Sequence, residues 1–204
     1  MILGCILGLA STVSASPTSW IVVPTPDTLE VGEMTVDFAT QGRNLTGSDC
    51  DRWLETQVGV APRLEVGVDS CLHGGAATLF NAKWQCVEQG GQGPALALGI
   101  ESVGRHAVAQ PYLVLGRSGG SGSWGLGVIS DGERLVEMCG GDYALTPTLS
   151  LLGDHVGGAA GTTSAGLSWQ ASERLNLTSA GVWERDPGRW ELFLYAGYTM
   201  TLWR

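Results

Sequence analysis

Alternation between apolar and polar residues runs through nearly the whole chain, and it constrains the fold more than any other feature. The alternation has a period of two, is interrupted at intervals by turn-forming residues, and leaves almost no helical periodicity. A period of two places successive side chains on opposite faces of a β-strand. The sequence therefore predicts about twelve strands, at residues 28–40, 51–60, 63–72, 77–88, 94–104, 107–117, 123–131, 135–145, 147–156, 162–171, 173–183 and 189–202.

The connections between the predicted strands alternate in length. Ala61-Pro62, Thr146-Pro147 and Ser172-Glu173 are tight turns, whereas the intervening links tend to be longer and richer in glycine or charge. Short turns at one end and longer loops at the other are typical of transmembrane up-and-down β-barrels. We therefore predict an all-β protein, a single antiparallel barrel of about twelve strands with both termini at one end. The link at Val87–Gly93 is longer than this pattern predicts.

The two faces of the predicted strands indicate the surrounding solvent. In the last strand, the face from Trp190 to Leu202 is apolar, and the opposite face includes Glu191, Thr199 and Thr201. A soluble β-sandwich would show the same alternation, so that alternative stays open. A membrane barrel is favoured because the segments are long enough to cross a bilayer and the polar faces are rich in glycine. Aromatic residues also recur near strand ends, as interfacial girdles do, at Trp53, Trp124, Trp169, Trp190, Tyr198 and Trp203.

Net charge and the N-terminus bear on location and partners. The chain has 20 acidic and 11 basic residues and a net charge of −9, which argues against nucleic acid as a partner. Residues 1–15 combine a short apolar core with small residues before the end, the pattern of a cleaved signal peptide. We expect an extended, proline-rich segment at 16–27 and the barrel domain at 28–204. No later stretch is apolar for long enough to form a transmembrane helix.

Lys83 is the only lysine of the chain, and it falls on the polar face of a strand between Phe80 and Trp84. In hairpins centred near residues 75 and 91 it would lie opposite Gly67 and Gly99, with carboxylates on its diagonals. An ammonium group in a narrow lumen needs such partners. We therefore predict an ion-pair network that holds the wall, with a selectivity constriction or acid–base catalysis as alternatives. The predicted lumen-lining set is Glu33, Asp37, Glu55, Glu65, Asp69, Asn81, Lys83 and Glu101.

Cysteine and histidine spacing indicates structural rather than catalytic chemistry. Cys50 and Cys71 lie about ten residues to either side of the Ala61-Pro62 turn, which predicts a disulfide at the loop end of that hairpin. No spacing matches a metal site, and we expect no metal and no cofactor. A Ser/His/Asp hydrolase stays possible, because these residues are common and only geometry identifies a site.

A resemblance to a known family is carried by the stretches WIVVPTPDTLEVGEMTVDF, LETQVGVAPRLEVGVDS, LFNAKWQ, PALALGIESVG, YALTPTLSLLGDHVGG and LYAGYTMTLWR. They resemble bacterial outer-membrane β-barrels of the porin-like group labelled as phenol meta-pathway transporters. The resemblance implies an outer-membrane pore or transporter for small solutes, apolar ones among them. It also implies outer-membrane lipid and the barrel-assembly machinery as partners.

The C-terminal stretch is similar to the insertion signal of such barrels, with Tyr195, Gly197, Met200 and Leu202 at matching positions. It departs from that signal in ending Trp203-Arg204, where a terminal aromatic residue is usual.

Two other function classes stay open at this stage. One is a closed structural or enzymatic barrel of the lipase type, and the other is a secreted soluble β-sandwich. The glycine-rich interior favours an open lumen, whereas residues 20–23 could equally form a plug, because narrow barrels are readily filled.

Overall fold

The computed structural model describes residues 18–45, 50–72, 77–91, 93–105 and 107–203. The predicted signal peptide at 1–15 lies outside the described residues. The structure is a closed barrel of twelve antiparallel strands, which confirms the predicted fold class. The strands are β1 Glu33–Gly42, β2 Cys50–Ala61, β3 Leu64–Cys71, β4 Thr78–Val87, β5 Ala95–Val103, β6 Gln110–Gly119, β7 Gly122–Ser130, β8 Leu135–Thr146, β9 Leu149–Val156, β10 Thr162–Gln170, β11 Leu175–Glu184 and β12 Arg189–Thr201.

Each strand pairs with its neighbours in sequence, and β12 pairs with β1 to close the barrel. The closing pair runs from Glu33 opposite Thr201 to Gly42 opposite Leu192. Closure satisfies the backbone hydrogen bonds of every strand and leaves no open sheet edge, as the interior of a bilayer requires. Because the structure is one closed sheet rather than two packed sheets, the β-sandwich alternative is wrong.

The exterior of the barrel is apolar and the interior is polar, the inverse of a water-soluble protein. Phe38, Phe80, Trp84 and Leu126 are each between 42% and 56% exposed on the outer face. The fully buried side chains include Lys83, Glu65, Asp69 and Glu101. A continuous apolar exterior is costly in water and favourable against hydrocarbon. None of the described residues forms a helix of the length and apolarity needed to cross a bilayer.

The two ends of the barrel differ in their connections. At one end, called the short-turn end, two-residue turns at 62–63, 120–121 and 147–148 join successive strands. The opposite end, called the loop end, has links such as 131–134, 157–161 and 185–188. Both ends of the barrel domain, at Glu33 and Thr201, lie at the short-turn end. The β4–β5 connection is the long one at this end, and Gly93 donates a backbone bond to Gly90 within it.

The first strand begins at Glu33, five residues later than the predicted start at residue 28. Gly32 has a φ of 81°, a conformation that favours glycine, and it accepts a hydrogen bond of 2.7 Å from the backbone N–H of Leu202. A Cβ on Gly32 would lie 2.2 Å from the carbonyl oxygen of Trp203. The chain therefore turns at the rim, where Val31 is 43% exposed, and residues 20–23 further upstream are buried inside the barrel.

The predicted disulfide between Cys50 and Cys71 is wrong. Cys71 of β3 lies opposite Trp53, whereas Cys50 lies three residues further along β2, opposite Gly42 of β1. The Sγ atom of Cys50 instead lies 2.8 Å from the Oγ1 atom of Thr40. The β2–β3 register therefore separates the two cysteines along the strands, and symmetric spacing about the turn did not bring them together.

Candidate functional site

A tight hairpin of residues 18–25, called the plug hairpin, lies inside the barrel. Ser19 pairs with Pro24, and the backbone N–H of Thr25 donates to the carbonyl of Thr18 at 2.9 Å. At the tip, the N–H of Trp20 donates to the carbonyl of Val23 at 3.1 Å. Residues 20–23 are at most 7% exposed. Of the two lumen interpretations left open by the sequence, the plug is the one the structure confirms.

Asp154 of β9 holds the tip of the plug hairpin. Its Oδ2 atom accepts hydrogen bonds from three consecutive backbone N–H groups, those of Ile21 at 2.9 Å, Val22 at 2.7 Å and Val23 at 3.0 Å. Successive N–H groups turned toward one point form an anion-binding concavity, and bonds to a carboxylate are stronger than neutral ones. A single carboxylate therefore satisfies the backbone of the whole tip in the buried lumen.

Lys83 holds the base of the plug hairpin, where its two arms meet. Its Nζ atom donates to the carbonyl oxygens of Thr18 at 3.3 Å and Thr25 at 3.2 Å, and also to the Thr18 hydroxyl. Nζ lies 3.3 Å from the Oε1 atom of Glu65, and both of these side chains are fully buried. The other Glu65 oxygen accepts the N–H of Leu29 at 2.8 Å. Lys83 thus joins the barrel wall to the plug hairpin.

The strand register around Lys83 differs from the predicted one. Lys83 lies directly opposite Glu65 rather than Gly67, because the β3–β4 hairpin is centred one residue earlier than expected. Its second predicted neighbour, Gly99 of β5, is correct. With the observed register, the Glu65 carboxylate lies directly opposite the Lys83 ammonium group. This position is closer than the diagonal position that was predicted for Glu65.

Three glycines form a flat floor beneath the plug hairpin. Gly116, Gly125 and Gly140 lie directly opposite one another across β6, β7 and β8. A Cβ on Gly125 or Gly140 would lie 2.4 or 2.5 Å from the Trp20 ring, and a Cβ on Gly116 would lie 3.1 Å from Pro26. The Trp20 Nε1–H donates to a hydroxyl beside this floor, that of Ser123, at 2.8 Å. The interior glycines were expected to leave open space, and instead they make room for the hairpin.

A row of carboxylates crosses the opposite wall. Asp37, Glu55 and Asp69 are direct cross-strand neighbours on β1, β2 and β3, and all three are buried. Asn81 donates to Asp69 Oδ2 and accepts the backbone N–H of Ser102 at 2.9 Å. Like charges directly opposite one another repel and raise the cost of burial. The row therefore places three acidic side chains next to one another on one wall of the lumen.

The remaining two predicted lining acids occupy different positions. Glu101 is fully buried in β5 and borders a cavity at the loop end. Glu33 begins β1 and is only half-buried at the rim, where it accepts the backbone N–H of Glu30 at 3.2 Å. The structure therefore places seven of the eight predicted lining residues in the buried interior and Glu33 at its edge. Their role in selectivity stays a prediction.

Cavities flank the plug hairpin. One of about 260 Å³ lies between the hairpin and the acidic wall, and Trp20, Asp37, Glu55 and Tyr195 border it. Another of about 90 Å³ lies toward the loop end, and its lining includes Val22 of the tip with apolar residues of β7, β8 and β9. The plug hairpin therefore occupies the space between a polar cavity and a smaller, more apolar one.

A second charged cluster at the loop end was missed by the sequence reasoning. Arg189 lies 2.6 Å from Glu191 and 3.2 Å from Glu184, measured between nitrogen and oxygen. Gln41 of β1 donates to both carboxylates, at 2.9 Å to Glu191 and 3.2 Å to Glu184. Because Gln41 belongs to β1, this cluster bonds the closing strand pair across the barrel seam.

Replacing Arg189 by methionine should lower the free energy of unfolding by about 1 kcal/mol, since two carboxylates lose their cation and the arginine is partly solvated. Urea unfolding of the detergent-solubilised protein measures the change. Arg134, in a solvent-exposed ion pair with Asp131, is the matched control and should show almost no change when replaced by methionine. Equal effects at the two positions would contradict a specific role for the cluster.

Catalytic and metal chemistry receives no support from the described part of the chain. Within it, no three His, Cys, Asp or Glu side chains are grouped so that they could hold a metal ion. The Nδ1 atom of His155 lies 2.8 Å from the Thr163 hydroxyl on the exposed side of the wall. His73 and His106 lie outside the described residues.

The residues predicted to form an insertion signal lie at the end of β12. Tyr195 borders the larger cavity, and a Cβ on Gly197 would lie 2.4 Å from its hydroxyl oxygen. Met200 pairs with Met34 of β1, and Leu202 follows the strand. Their role in insertion stays a prediction.

Comparison with known proteins supports the fold. The chain matches the KdgM porin with a TM-score of 0.62 at 12% identity, covering 80% of this chain and 98% of that one. It matches the NanC porin with a TM-score of 0.57 at 11% identity, covering 81% and 98%. For Omp33, an outer membrane protein of Acinetobacter baumannii, the TM-score is 0.57 at 8% identity, covering 82% and 98%. The fold is that of the outer-membrane porins.

No protein-family model matches the sequence, and no curated protein matches it either. The likeness therefore lies in the architecture, and the residues that fill the lumen have to be interpreted on their own chemistry.

Proposed function

We propose that this protein is an outer-membrane channel for small solutes, closed in this structure by its own plug hairpin. The proposal rests on the difference between how the strands of the wall are held together and how the hairpin is held inside it. The wall is a complete barrel, and the side-chain hydrogen bonds that attach the hairpin to it come chiefly from Asp154, Lys83 and Ser123, while the apolar side chains of residues 20–23 pack against the lumen wall. A segment held in this way can leave the lumen while every strand pair of the barrel stays intact.

The same proposal covers location and partners. An apolar exterior around a closed sheet suits a bilayer, and among bacterial membranes single-chain barrels of this kind belong to the outer one. We propose outer-membrane lipid as the solvent of the exterior and the barrel-assembly machinery as the partner that recognises the end of β12. The resemblance to phenol meta-pathway transporters supports a transport role, and we propose no particular solute from it.

The acidic row and the cavity beside it support a preference for cations. Asp37 and Glu55 border the cavity of about 260 Å³ that lies beside the hairpin. Rings or rows of carboxylates favour cations in channels. A channel rather than an enzyme is proposed, because the lumen side chains Asp154, Lys83 and Ser123 are used to bind the hairpin.

Replacing Trp20 by glycine should increase the conductance of the full-length protein in planar lipid bilayers. The indole ring rests on the glycine floor, and removing it releases the buried surface that holds the hairpin in place. The native protein should conduct in brief openings, and the variant should stay open for a larger fraction of time. In a salt gradient, the reversal potential of the open state should indicate cation preference.

Trp124 provides a matched control for this experiment. It belongs to β7, next to the glycine floor in sequence, but it is 46% exposed on the outer face. Trp124→Gly removes the same side chain without touching the hairpin and should leave conductance unchanged. If Trp20→Gly remains as closed as the native protein, the barrel is a structural one and the channel proposal fails.

A further inference from the structure

The lumen wall binds the plug hairpin mainly through backbone atoms. Asp154 accepts only backbone N–H groups of residues 21–23, and two of the groups that Lys83 contacts are backbone carbonyls. In the segment that follows the hairpin, Gln85 donates from its side-chain amide to the carbonyl of Pro26 at 3.1 Å. Glu65 accepts the backbone N–H of Leu29 in the same segment. Contacts of this kind recognise peptide chemistry and do not depend on the side chains of the bound segment.

Asp154 and Lys83, which contact the tip and the base of the hairpin, are chemically complementary to the two termini of a short peptide. A carboxylate that accepts hydrogen bonds from backbone N–H groups can also accept one from an α-ammonium group, with the added attraction of opposite charges. A buried lysine that contacts two carbonyl oxygens can equally bind an α-carboxylate. Asp154 and Lys83 therefore present an acceptor for one terminus and a donor for the other.

The spacing of these groups sets the length of the peptide. The N–H of Val23 bonds to Asp154 and the carbonyl of Thr25 bonds to Lys83, so a segment of three residues, Val23-Pro24-Thr25, runs from one contact to the other. Three extended residues span at most about 10 Å. The floor of Gly116, Gly125 and Gly140 beside them accommodates a side chain as large as that of Trp20.

We propose that the wall between Asp154 and Lys83 is a binding site for zwitterionic peptides of about three residues, occupied in this structure by the protein's own hairpin. The proposal gives the proposed channel a class of solute. It rests on the proposed function, because a peptide can bind here only when the hairpin has left the lumen. In this arrangement the hairpin is a competitor of the solute, and its departure exposes the carboxylate and the ammonium group together.

Binding of trialanine with free termini tests the site, measured by isothermal titration calorimetry on full-length protein in detergent. The Trp20→Gly variant keeps the wall intact and weakens the hairpin. We expect it to bind trialanine at least about tenfold more tightly than the native protein, because the competing hairpin is released more often. N-acetyl-trialanine amide, which lacks both charges, should bind about tenfold more weakly than trialanine. The loss of one modest interaction is enough to change the affinity tenfold.

A second substitution tests Asp154 as the acceptor for the α-ammonium group of the peptide. In the Trp20→Gly background, adding Asp154→Asn should weaken trialanine binding about tenfold, whereas adding Trp124→Gly should leave it unchanged. Equal affinity for the two peptides in the Trp20→Gly variant would overturn the inference, and this comparison needs no change to the wall. If the Trp20→Gly variant conducts but does not bind trialanine, the peptide site is wrong and the channel proposal stands. If it binds trialanine but does not conduct, the peptide site stands and the channel proposal is wrong.

Discussion

Replacing Lys83 by methionine is expected to destabilise the barrel and to release the plug hairpin at the same time. The variant leaves the buried Glu65 carboxylate without its cation and removes the hydrogen bonds from the lysine to the carbonyls of Thr18 and Thr25. Removing one partner of a buried ion pair costs about 3–5 kcal/mol, and water entering the lumen would reduce this. We expect a lower urea midpoint together with a larger open fraction in bilayers.

A double-mutant cycle distinguishes the ion pair from the contacts to the hairpin. Lys83→Met/Glu65→Gln removes both charges and should recover part of the lost stability, because no uncompensated carboxylate remains. It should not recover closure, because the hairpin still lacks the lysine. Arg63, in an exposed pair with Glu88, is the control and should change stability by less than about 1 kcal/mol when replaced by methionine. Unchanged stability and conductance in Lys83→Met would show that Lys83 is a solvated bystander.

Replacing Gly140 by valine is expected to open the channel. A Cβ at this position would lie 2.5 Å from the Trp20 ring, so the ring and the new side chain cannot share the site. The same Cβ would lie 3.0 Å from the Cβ of Asp154, so the side chain that holds the tip of the hairpin has to shift as well. Overpacking of this kind costs about 1–3 kcal/mol, which shifts the closed-to-open equilibrium by roughly 5- to 150-fold.

Gly153 of β9 is the matched control for Gly140. A Cβ on Gly153 would meet only the Ser164 carbonyl, at an ordinary 3.4 Å. Gly153→Val should conduct like the native protein and should retain the native urea midpoint. A Gly140→Val protein with a stable barrel and native conductance would mean that the hairpin closes the lumen without resting on the glycine floor.

The wall of this protein could be predicted from local sequence. Period-two alternation specifies a strand, and the strand lengths and alternating connections together indicate a closed transmembrane barrel. Most predicted strands agree with the observed ones within a few residues, because each depends on its own side chains alternating between lipid and lumen. The buried positions of Asp37, Glu55, Asp69 and Lys83 follow from the same alternation.

The contents of the lumen could not be predicted in this way. Asp154 and Ile21 are separated by 133 residues, and no periodicity relates them. Gly116, Gly125 and Gly140 have no regular spacing in sequence, and they become one floor only through the registers of β6 with β7 and β7 with β8. The Lys83–Glu65 pairing likewise depends on where the β3–β4 hairpin turns, and a shift of one residue in its centre changed the partner.

The sequence by itself determined which residues form strands and which face each strand turns inward, because both depend on neighbours a few positions away. Only the tertiary structure decided that the lumen is filled and by what. Closing the barrel brings distant strands around one axis, and the hairpin finds its partners, Asp154 and Lys83, on opposite parts of that wall. The alternation of side chains shows which face of the strand each side chain lies on, but not which residues it contacts there. It therefore cannot predict such contacts.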